Sequence, residues 1–378
     1  MRRSMSAPLA GLRIVEFGHY IAAPAATQIL SDLGADVVKV EPPAGDQART
    51  IGAYGEGIVA AYNRGKRSVV LDLKDADDRA RALDLVDAAD AVVQNLRAGV
   101  MDRLGLGPDA LLGRRPDLVY VSVSGFTPGS PSENRPGLDI AAQAESGMMW
   151  VTGEPDGDPQ RIGFPVADVG ASYAVVQAVL AALLRRERTG EGGVAHVSLV
   201  DVAIHMQSAM WGEWAMTGTE PRRKGNGQAT AAPAADLVTT ADGLIVLSAY
   251  TTTHFARLCE LIGKSWMTED PRFRDNPSRV AHRRELLTEI SEVLGTRTTD
   301  DCLRWLGEAG LVAAAVRRYS DVASSPDVAA GSILTTGVDW RGRRFQVPSL
   351  PFVLDGVDPV EEMVVPHAGA NAPDELGT

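Results

Sequence analysis

The fold is decided by residues 11–41, which read GLRIVEFGHYIAAPAATQILSDLGADVVKVE. A short apolar strand over 11–17 is followed by a helix of small residues over about 22–33 and by a second strand over 37–41. A strand, a helix and a second strand in this order form a βαβ unit, in which the two strands lie parallel in one sheet.

The same alternation continues along the chain. It predicts strands over 68–72, 91–94 and 118–123 and helices over about 76–89 and 108–113. Alternating strands and helices predict an α/β fold, a Rossmann-like doubly wound parallel sheet whose ligand site lies at the carboxyl ends of the strands. Because Gly18-His19-Tyr20-Ile21 after the first strand lacks the dinucleotide glycine fingerprint, we expect this sheet to function without NAD.

The length of 378 residues allows two hydrophobic cores. The sequence predicts four segments: 1–215, the first part of a large domain; 216–235, a linker; 236–325, a smaller α+β domain; and 326–378, a return linker and the C-terminal part of the large domain. The smaller domain is predicted to contain a hairpin and three amphipathic helices: 235–240 paired with 244–247, then 252–262, 279–294 and 299–309.

The composition excludes several classes of function. A net charge of −12 and a pI near 5.0 argue against binding to nucleic acid. Cys259 and Cys302 have neither metal-ligand nor disulfide spacing, so no metal site is predicted. Since the start of the chain has no signal-peptide pattern and no run of about 18 apolar residues follows, we expect a cytoplasmic protein that does not bind a membrane.

Asp168 stands where an apolar helix is predicted to begin. Such an aspartate is explained equally well as a helix N-cap and as a nucleophile, which must be ionised and fixed in place. Backbone N–H groups at a cap and the helix dipole predict a low pKa for this carboxyl. The small residues Gly170, Ala171 and Ser172 suit either an approaching substrate or close helix packing.

The order of several motifs resembles that of the family III CoA-transferases, which include formyl-CoA transferase and carnitine CoA-transferase and are related to the α-methylacyl-CoA racemases. The resemblance covers most of the chain. Its motifs are PLAGLRI (8–14), LGADVVKVEPP (33–43), NRGKRS (63–68), QNLR (94–97), LGL (104–106), SGF (124–126), QAESG (143–147), TGEGG (189–193) and PHAG (366–369).

The resemblance implies an enzyme that transfers CoA from an acyl-CoA to a carboxylic acid, with no permanently bound cofactor. It places Asp168 at the position of the catalytic aspartate, which forms an anhydride with the donor acyl group and then an aspartyl-CoA thioester. It also implies a set of CoA-binding residues: Asn63, Asn95, Leu96, Arg97 and Arg103. The two arginines suit phosphate groups because they form charge-assisted, multidentate hydrogen bonds.

Further site residues are implied in the same way: Ile21, Asp139, Gly225 and Gly227. His19 is included because it lies at the carboxyl end of the first predicted strand. Asp139 either orients Asp168 or a substrate group, or it caps a helix. The two glycines belong either to a loop that covers the site or to a plain linker turn. Ile21 replaces a glutamine of formyl-CoA transferase, which favours a larger and less polar acyl group. The pocket for this acyl group is then expected to be lined by Ile21, Met148, Met149, Trp150 and Tyr250, all of which are equally well explained as core residues.

Two alternative functions remain open from the sequence. A racemase needs two bases to move an α-proton, yet Leu138 and Thr252 stand where the racemases carry histidine and glutamate. A catalytically silent CoA-binding protein would not need Asp168. The resemblance finally implies a homodimer of two interlocked, ring-shaped chains.

Overall fold

Six parallel strands form the central sheet of a computed structural model, which describes residues 7–227, 235–249, 251–331, 333–355 and 362–376. The strands are β1 (Arg13–Phe17), β2 (Asp36–Glu41), β3 (Arg67–Val70), β4 (Ala91–Gln94), β5 (Val119–Ser124) and β6 (Gly193–Ser198). Their order across the sheet is β3-β2-β1-β4-β5-β6. This is the order of the Rossmann fold, so the prediction of a doubly wound parallel sheet is confirmed.

Helices connect these strands and cover both faces of the sheet. They are α1 (Ala22–Asp32), α2 (Gly52–Tyr62), α3 (Ala76–Asp87), α4 (Val100–Arg103), α5 (Pro108–Arg114), α6 (Asp139–Glu145), α7 (Met148–Val151), α8 (Val166–Thr189), α9 (Leu199–His205) and α10 (Ser208–Thr217). Neighbouring residues of one strand enter different cores, because side chains alternate along a strand. Ile14 packs with residues of α1 and α8, whereas Val15 packs with residues of α3 and α5.

Strand β6 was not predicted from the sequence. It lies at the edge of the sheet and exposes alternate residues, among them Val194 and His196. An edge strand that is buried on only part of its length carries a weaker apolar pattern than the central strands.

The described residues divide into two units. The large unit contains the residues up to Met148, Arg161–Thr219 and the residues from Pro326, and the second contains Met149–Gln160 and Glu220–Ser325. Residues 149–160 therefore group with the second unit, although the sequence predicted that they belong to the large domain. Nothing in their composition indicated this.

The second unit combines a three-stranded antiparallel sheet with helices. Its elements are β7 (Ala235–Thr239), β8 (Leu244–Ser248), β9 (Val312–Ala315), α11 (Thr252–Leu261), α12 (Asn276–Ala281), α13 (Arg283–Leu294), α14 (Thr299–Glu308) and α15 (Tyr319–Ala323). The last part of the chain adds a small sheet to the large unit, from α16 (Pro326–Gly331), β10 (Leu334–Val338), β11 (Arg344–Pro348) and β12 (Glu362–Val364).

Helix α8 is the longest helix of the described chain, and by length and composition alone it could cross a membrane. Core helices of soluble proteins meet the same criterion. In this structure one face of α8, including Ala171, Val175 and Val179, is buried in the core against the sheet.

Four charged side chains lie buried beneath the first strand's carboxyl end. Glu16 accepts hydrogen bonds from Lys39 Nζ at 2.6 Å and from Lys66 Nζ at 2.7 Å, and Lys39 also pairs with Asp46 at 3.0 Å. None of the four side chains is more than 5% exposed. Burial alone would raise the pKa of Glu16, but the two ammonium groups outweigh it and hold this pKa at about 2.

Replacing Glu16 with alanine leaves two buried ammonium groups without their shared counter-charge. We expect Glu16→Ala to lower the free energy of unfolding by about 3–5 kcal/mol, measured by urea denaturation at pH 7. Glu187→Ala, which removes an exposed carboxylate from α8, serves as the control. A loss for Glu16→Ala no larger than that of the control would contradict the structural role of the cluster.

The stability that Glu16 contributes decreases as the solution becomes more acidic. Because the pKa of Glu16 falls from 4.5 to about 2 on folding, its contribution to stability is complete above pH 4.5 and is lost as the pH falls toward 2.

Candidate active site

His19, Ile21 and Asn95 lie where the strand order reverses, beyond the ends of β1 and β4. The backbone N–H of His19 donates to Asn95 Oδ1, and Asn95 Nδ2 donates to the carbonyl of His19, both at 2.9 Å. Open α/β sheets bind ligands at this switch point. The two loops that flank the expected ligand site are therefore joined to each other.

The imidazole of His19 is half-buried, and its Nδ1 has no hydrogen-bond partner among the described residues. Burial lowers the pKa of His19, and the nearby Asp46 carboxylate offsets this only in part. The ring is consequently neutral at pH 7.

Asp168 is the third residue of α8 and does not cap it, so the N-cap prediction is wrong. Pro165 occupies the N-cap position. The carboxylate of Asp139 takes the capping role, since its Oδ1 accepts the N–H groups of Ala167 at 2.8 Å and of Asp168 at 3.3 Å. Asp139 is thus a helix cap, but it caps α8 and not α6, the helix in which it lies.

Asp139 is itself held firmly. It is 7% exposed, and its second oxygen accepts a hydrogen bond from Gln143 Nε2 at 2.6 Å. The segment before it lies directly against the end of β5, because a Cβ atom on Gly137 would come within 2.6 Å of the Cα of Gly125. Only glycine permits this approach, which places Asp139 beside the start of α8.

The carboxyl group of Asp168 is in an environment opposite to the one predicted. Burial, with a further contribution from the like charge of Asp139, raises the pKa of Asp168 to about 7. No hydrogen bond or cation from the described residues counteracts these effects. The expectation of a low pKa is therefore wrong, because the helix N–H groups that would have lowered it are bound by Asp139.

Apolar side chains lie next to this carboxylate. Ile21, which is 5% exposed, belongs to a small cluster against which Val169 and Tyr62 pack. Burial raises the pKa of Tyr62, with smaller contributions from Tyr54 and from Asp168. Tyr62 thus lies near the carboxylate, and the sequence gave no indication of this because the two residues are far apart in the chain.

The small residues after Asp168 serve helix packing. A Cβ atom on Gly170 would come within 2.7 Å of Met206 Sδ and 2.9 Å of a Val202 methyl group, so α8 and α9 touch at this glycine. Ala171 and Ser172 are buried. Of the two interpretations that the sequence left open, close packing is the one observed.

The residues expected to bind CoA after β4 form one continuous segment. The Leu96 N–H donates to Gln94 Oε1 at 2.8 Å, which fixes the start of this segment. Arg97 and Arg103 are exposed, and neither forms an ion pair with the described residues. Two guanidinium groups are therefore available close to the switch point.

Asn63 is placed differently. Its side chain is fully buried, and its Oδ1 lies 3.4 Å from Lys66 Nζ, within the charged cluster under β1. Its proposed contact with CoA stays a prediction.

Gly225 and Gly227 belong to a turn of the second unit. The Gly225 N–H donates to the carbonyl of Gly153 at 3.0 Å, and the Gly227 N–H donates to that of Lys224 at 3.2 Å. In the same unit Trp150 Nε1 donates to the Pro221 carbonyl at 3.0 Å. The covering role of this loop stays a prediction.

Of the remaining residues suggested as acyl-site walls, Met148 is buried in the core of the large unit, Met149 is half-buried and Tyr250 lies outside the described residues. Within the described ranges, no group of His, Cys, Asp or Glu side chains is arranged to hold a metal ion.

The residues that hold the loop between β1 and α1 were not identified from the sequence. Glu16 and Lys39 stand inside otherwise apolar strands, and a charge at such a position signals a buried ion pair. Asp46 gave no comparable signal, since an aspartate after a strand is ordinary turn composition.

Comparison with known proteins defines the family. Residues 9–372 match the model of CoA-transferase family III. The chain belongs to this family. A probable fatty acyl-CoA transferase of Mycobacterium tuberculosis is 39% identical over 84% of this chain and 85% of its own length. A succinate–glutarate CoA-transferase of Agrobacterium fabrum is 37% identical, over 79% and 75% respectively.

The fold of this CoA-transferase is shared with a solved structure. A CaiB/BaiF family protein from Brucella suis superposes with a TM-score of 0.85 at 32% identity, and the match covers 96% of this chain and 97% of the other.

The raised pKa of Asp168 predicts that its ionisation destabilises the folded enzyme. Between the ordinary value of 3.8 and the folded value of about 7, folding favours the protonated carboxyl, so stability decreases as the pH rises through this range. We expect Asp168→Asn to raise Tm more at pH 8 than at pH 5. The control is Asp109→Asn, an exposed aspartate in the first turn of α5, for which no such difference is expected. Equal effects of Asp168→Asn at both pH values would contradict the raised pKa.

Proposed function

We propose that this CoA-transferase moves CoA from an acyl-CoA donor to a carboxylic acid through covalent intermediates on Asp168. The observation that carries the proposal is the setting of this carboxylate at the start of α8, half-buried and without a hydrogen bond or cation from the described residues. A carboxylate with few hydrogen bonds is a stronger nucleophile than a hydrated one, because less solvation is lost when it attacks.

Each step exchanges one acyl bond for another. An Asp168 oxygen attacks the thioester carbon of the donor, a C–O bond forms, the C–S bond breaks, and CoA thiolate leaves. The thiolate then attacks the aspartyl carbon of the anhydride, which releases the donor acid and leaves an aspartyl-CoA thioester. The acceptor carboxylate attacks this thioester and expels the thiolate, which finally takes the acceptor acyl group and frees Asp168.

No proton enters or leaves this cycle, so it requires no general base. The residues that stand at the two base positions of the racemases agree with this. Leu138 is an exposed apolar side chain at the start of α6, and Thr252 begins α11. Neither can act as one of the two bases that a racemase needs, which favours transfer over racemisation.

Coenzyme A is proposed to bind beyond the ends of β1 and β4. Asn95 and Leu96 fix the backbone of the segment after β4, and Arg97 and Arg103 extend from it without ion-pair partners among the described residues. Guanidinium groups match phosphate oxygens in charge and geometry. This placement also follows the general rule for ligand sites in doubly wound sheets.

The acyl group is proposed to be apolar and to carry no second carboxylate. Ile21, Val169 and Tyr62 pack together beside Asp168, and no cation of the described residues is close enough to lower its pKa. A second carboxylate buried here would be unpaired, which is costly. In this respect the site fits a fatty acyl substrate, named for the M. tuberculosis relative, better than the dicarboxylates named for the A. fabrum relative.

Trapping with hydroxylamine tests the covalent intermediate. Incubation with an acyl-CoA donor and hydroxylamine is expected to convert Asp168 to a hydroxamate, because both the anhydride and the thioester are activated acyl groups. Peptide mass spectrometry locates the modification. Asp168→Ala is expected to show none and to lose transferase activity, while Asp109→Asn remains modified at Asp168.

Other outcomes identify other functions. Absence of the hydroxamate across a broad donor panel, with CoA still bound, indicates a silent CoA-binding protein. Exchange of an α-proton of the acyl-CoA in deuterated water indicates a racemase. In the same panel, straight-chain monocarboxylic donors are expected to exceed succinyl-CoA and oxalyl-CoA in kcat/KM by about tenfold or more.

We also propose a homodimer with interlocked chains. The large unit exposes bulky apolar residues on two helices and between them: Leu180 and Leu184 on α8, Met206 directly after α9, and Trp211, Trp214 and Met216 on α10. Exposed apolar surface of this kind is typical of a protein interface, and a second copy of the chain is its proposed occupant.

Light scattering after gel filtration measures the state of assembly. The expected mass is twice the 40.1 kDa of one chain, and it should persist on dilution because interlocked chains cannot separate without unfolding. A mass near that of one chain would refute the dimer.

A further inference from the structure

In the loop between β1 and α1, the backbone of each of three successive residues is hydrogen-bonded to a side chain from another part of the large unit. The carbonyl of Gly18 accepts a hydrogen bond from Lys39 Nζ at 2.8 Å. The backbone of His19 is paired with Asn95, as described above. The N–H of Tyr20 donates to Asp46 Oδ1 at 3.2 Å. The geometry of this loop is therefore imposed by tertiary contacts.

Tyr20 has an unusual backbone conformation. Its φ is +60°, and among the residues that the structure describes it is the only non-glycine residue with positive φ. An L-residue is disfavoured in this region because its Cβ approaches a backbone carbonyl. Such a conformation persists only where the surrounding contacts require it.

Asp46 is rigid enough to impose it. The residue is 2% exposed, its Oδ1 also accepts the Ala48 N–H at 2.9 Å, and its Oδ2 lies 3.0 Å from Lys39 Nζ. Its own N–H donates to Glu41 Oε2 at 2.9 Å. The side chain of Asp46 is thus held by Lys39 and the Ala48 N–H, and its backbone N–H is held by Glu41.

The conformation of Tyr20 determines where the next residue points. Ile21 follows immediately as the N-cap residue of α1, and its carbonyl accepts the Ala25 N–H at 2.7 Å. The Ile21 side chain enters the cluster against which Val169 packs. Val169 directly follows Asp168, so the turn at Tyr20 brings the loop against the first turn of α8.

We propose that Asp46 is a positioning residue for the transfer reaction, which holds Tyr20 in its left-handed conformation and thereby keeps Ile21 in place beside Asp168. The proposal rests on the proposed function, since it assigns Asp46 a part in the same reaction. Asp46 acts only through Tyr20 and touches no reacting atom.

A purely structural role must be separated from this one, because Asp46 also caps the short 3₁₀ helix Gln47–Thr50. The separation uses glycine, which adopts positive φ without assistance. If Asp46 acts by holding Tyr20, its removal matters much less once residue 20 is glycine. If Asp46 matters only for stability, its removal matters equally in both backgrounds.

The experiment is a double-mutant cycle of Asp46→Ala and Tyr20→Gly with kcat, KM and Tm as readouts. With Tyr20 present, Asp46→Ala is expected to lower kcat by about ten- to a hundredfold, as misplacement of a site loop does, with a smaller change in KM for the acyl-CoA. In the Tyr20→Gly background the same substitution is expected to lower kcat by less than about twofold, since glycine adopts positive φ without the steric cost that Asp46 offsets for tyrosine. An equal loss of kcat in both backgrounds would overturn the proposal.

Two further variants separate the Tyr20 contact from the charge of Asp46. Asp46→Asn retains an oxygen for the Tyr20 and Ala48 N–H groups but loses the charge that pairs with Lys39, so it is expected to lower Tm and leave kcat unchanged. This comparison with the wild type is also available if Asp46→Ala does not fold, and a loss of kcat in Asp46→Asn would overturn the proposal. Asp75→Ala is the matched control, since Asp75 caps α3 through the N–H groups of Asp77 and Asp78 at 2.9 and 3.1 Å. The control is expected to lower Tm and leave kcat unchanged.

Failure of the proposed function would be recognised separately. If the wild-type enzyme transfers CoA between no donor and acceptor pair, the proposed function fails before any variant is compared. If the wild-type enzyme is active and the two backgrounds respond equally, only the role of Asp46 is refuted.

Discussion

The buried carboxylate of Glu16 is the group on which the site's framework depends. It lies between Lys39 and Lys66 and permits two ammonium groups to remain in the interior. These cations in turn bind backbone carbonyls, Lys39 that of Gly18 in the loop that follows β1 and Lys66 that of Pro24 in the first turn of α1. Buried ion pairs often add little net stability, so their main effect here is to specify one geometry for the loop.

Asp168, the proposed nucleophile, has the opposite electrostatic environment. Two ammonium groups hold the pKa of Glu16 at about 2, whereas burial and the neighbouring Asp139 raise that of Asp168 to about 7. Two acidic side chains of one chain therefore have pKa values shifted in opposite directions, one by nearby cations and the other by burial without a cation. Strong perturbation of a carboxyl that no cation balances, at the carboxyl edge of a sheet, is typical of a functional group.

Strands, helices and short motifs could be predicted from the sequence, whereas side-chain contacts between residues far apart in the chain could not. Alternating strands and helices indicated the doubly wound sheet, and motif order indicated the family. The sequence correctly placed Asp168 at the start of a helix but gave it the wrong capping role, because the cap of α8 comes from Asp139, 29 residues earlier. Tyr62 and Ile21 meet only through the packing of α1, α2 and α8, so their proximity has no periodic signal in the sequence.

Two features in and near the proposed site lower the stability of the folded chain, and other contacts of the large unit must compensate for them. Tyr20 occupies a disfavoured backbone region, and Asp168 is a carboxylate buried beside a like charge. A glycine at 20 would relieve the backbone cost, although Tyr20 also packs against the cluster that contains Ile21, and an asparagine at 168 would relieve the electrostatic cost. Such unfavourable features concentrate at functional sites because activity requires them. The charge cluster beneath β1 fixes the loop over 18–21, and the cap from Asp139 fixes the first turn of α8, so the contacts that offset these costs lie beside the features that cause them.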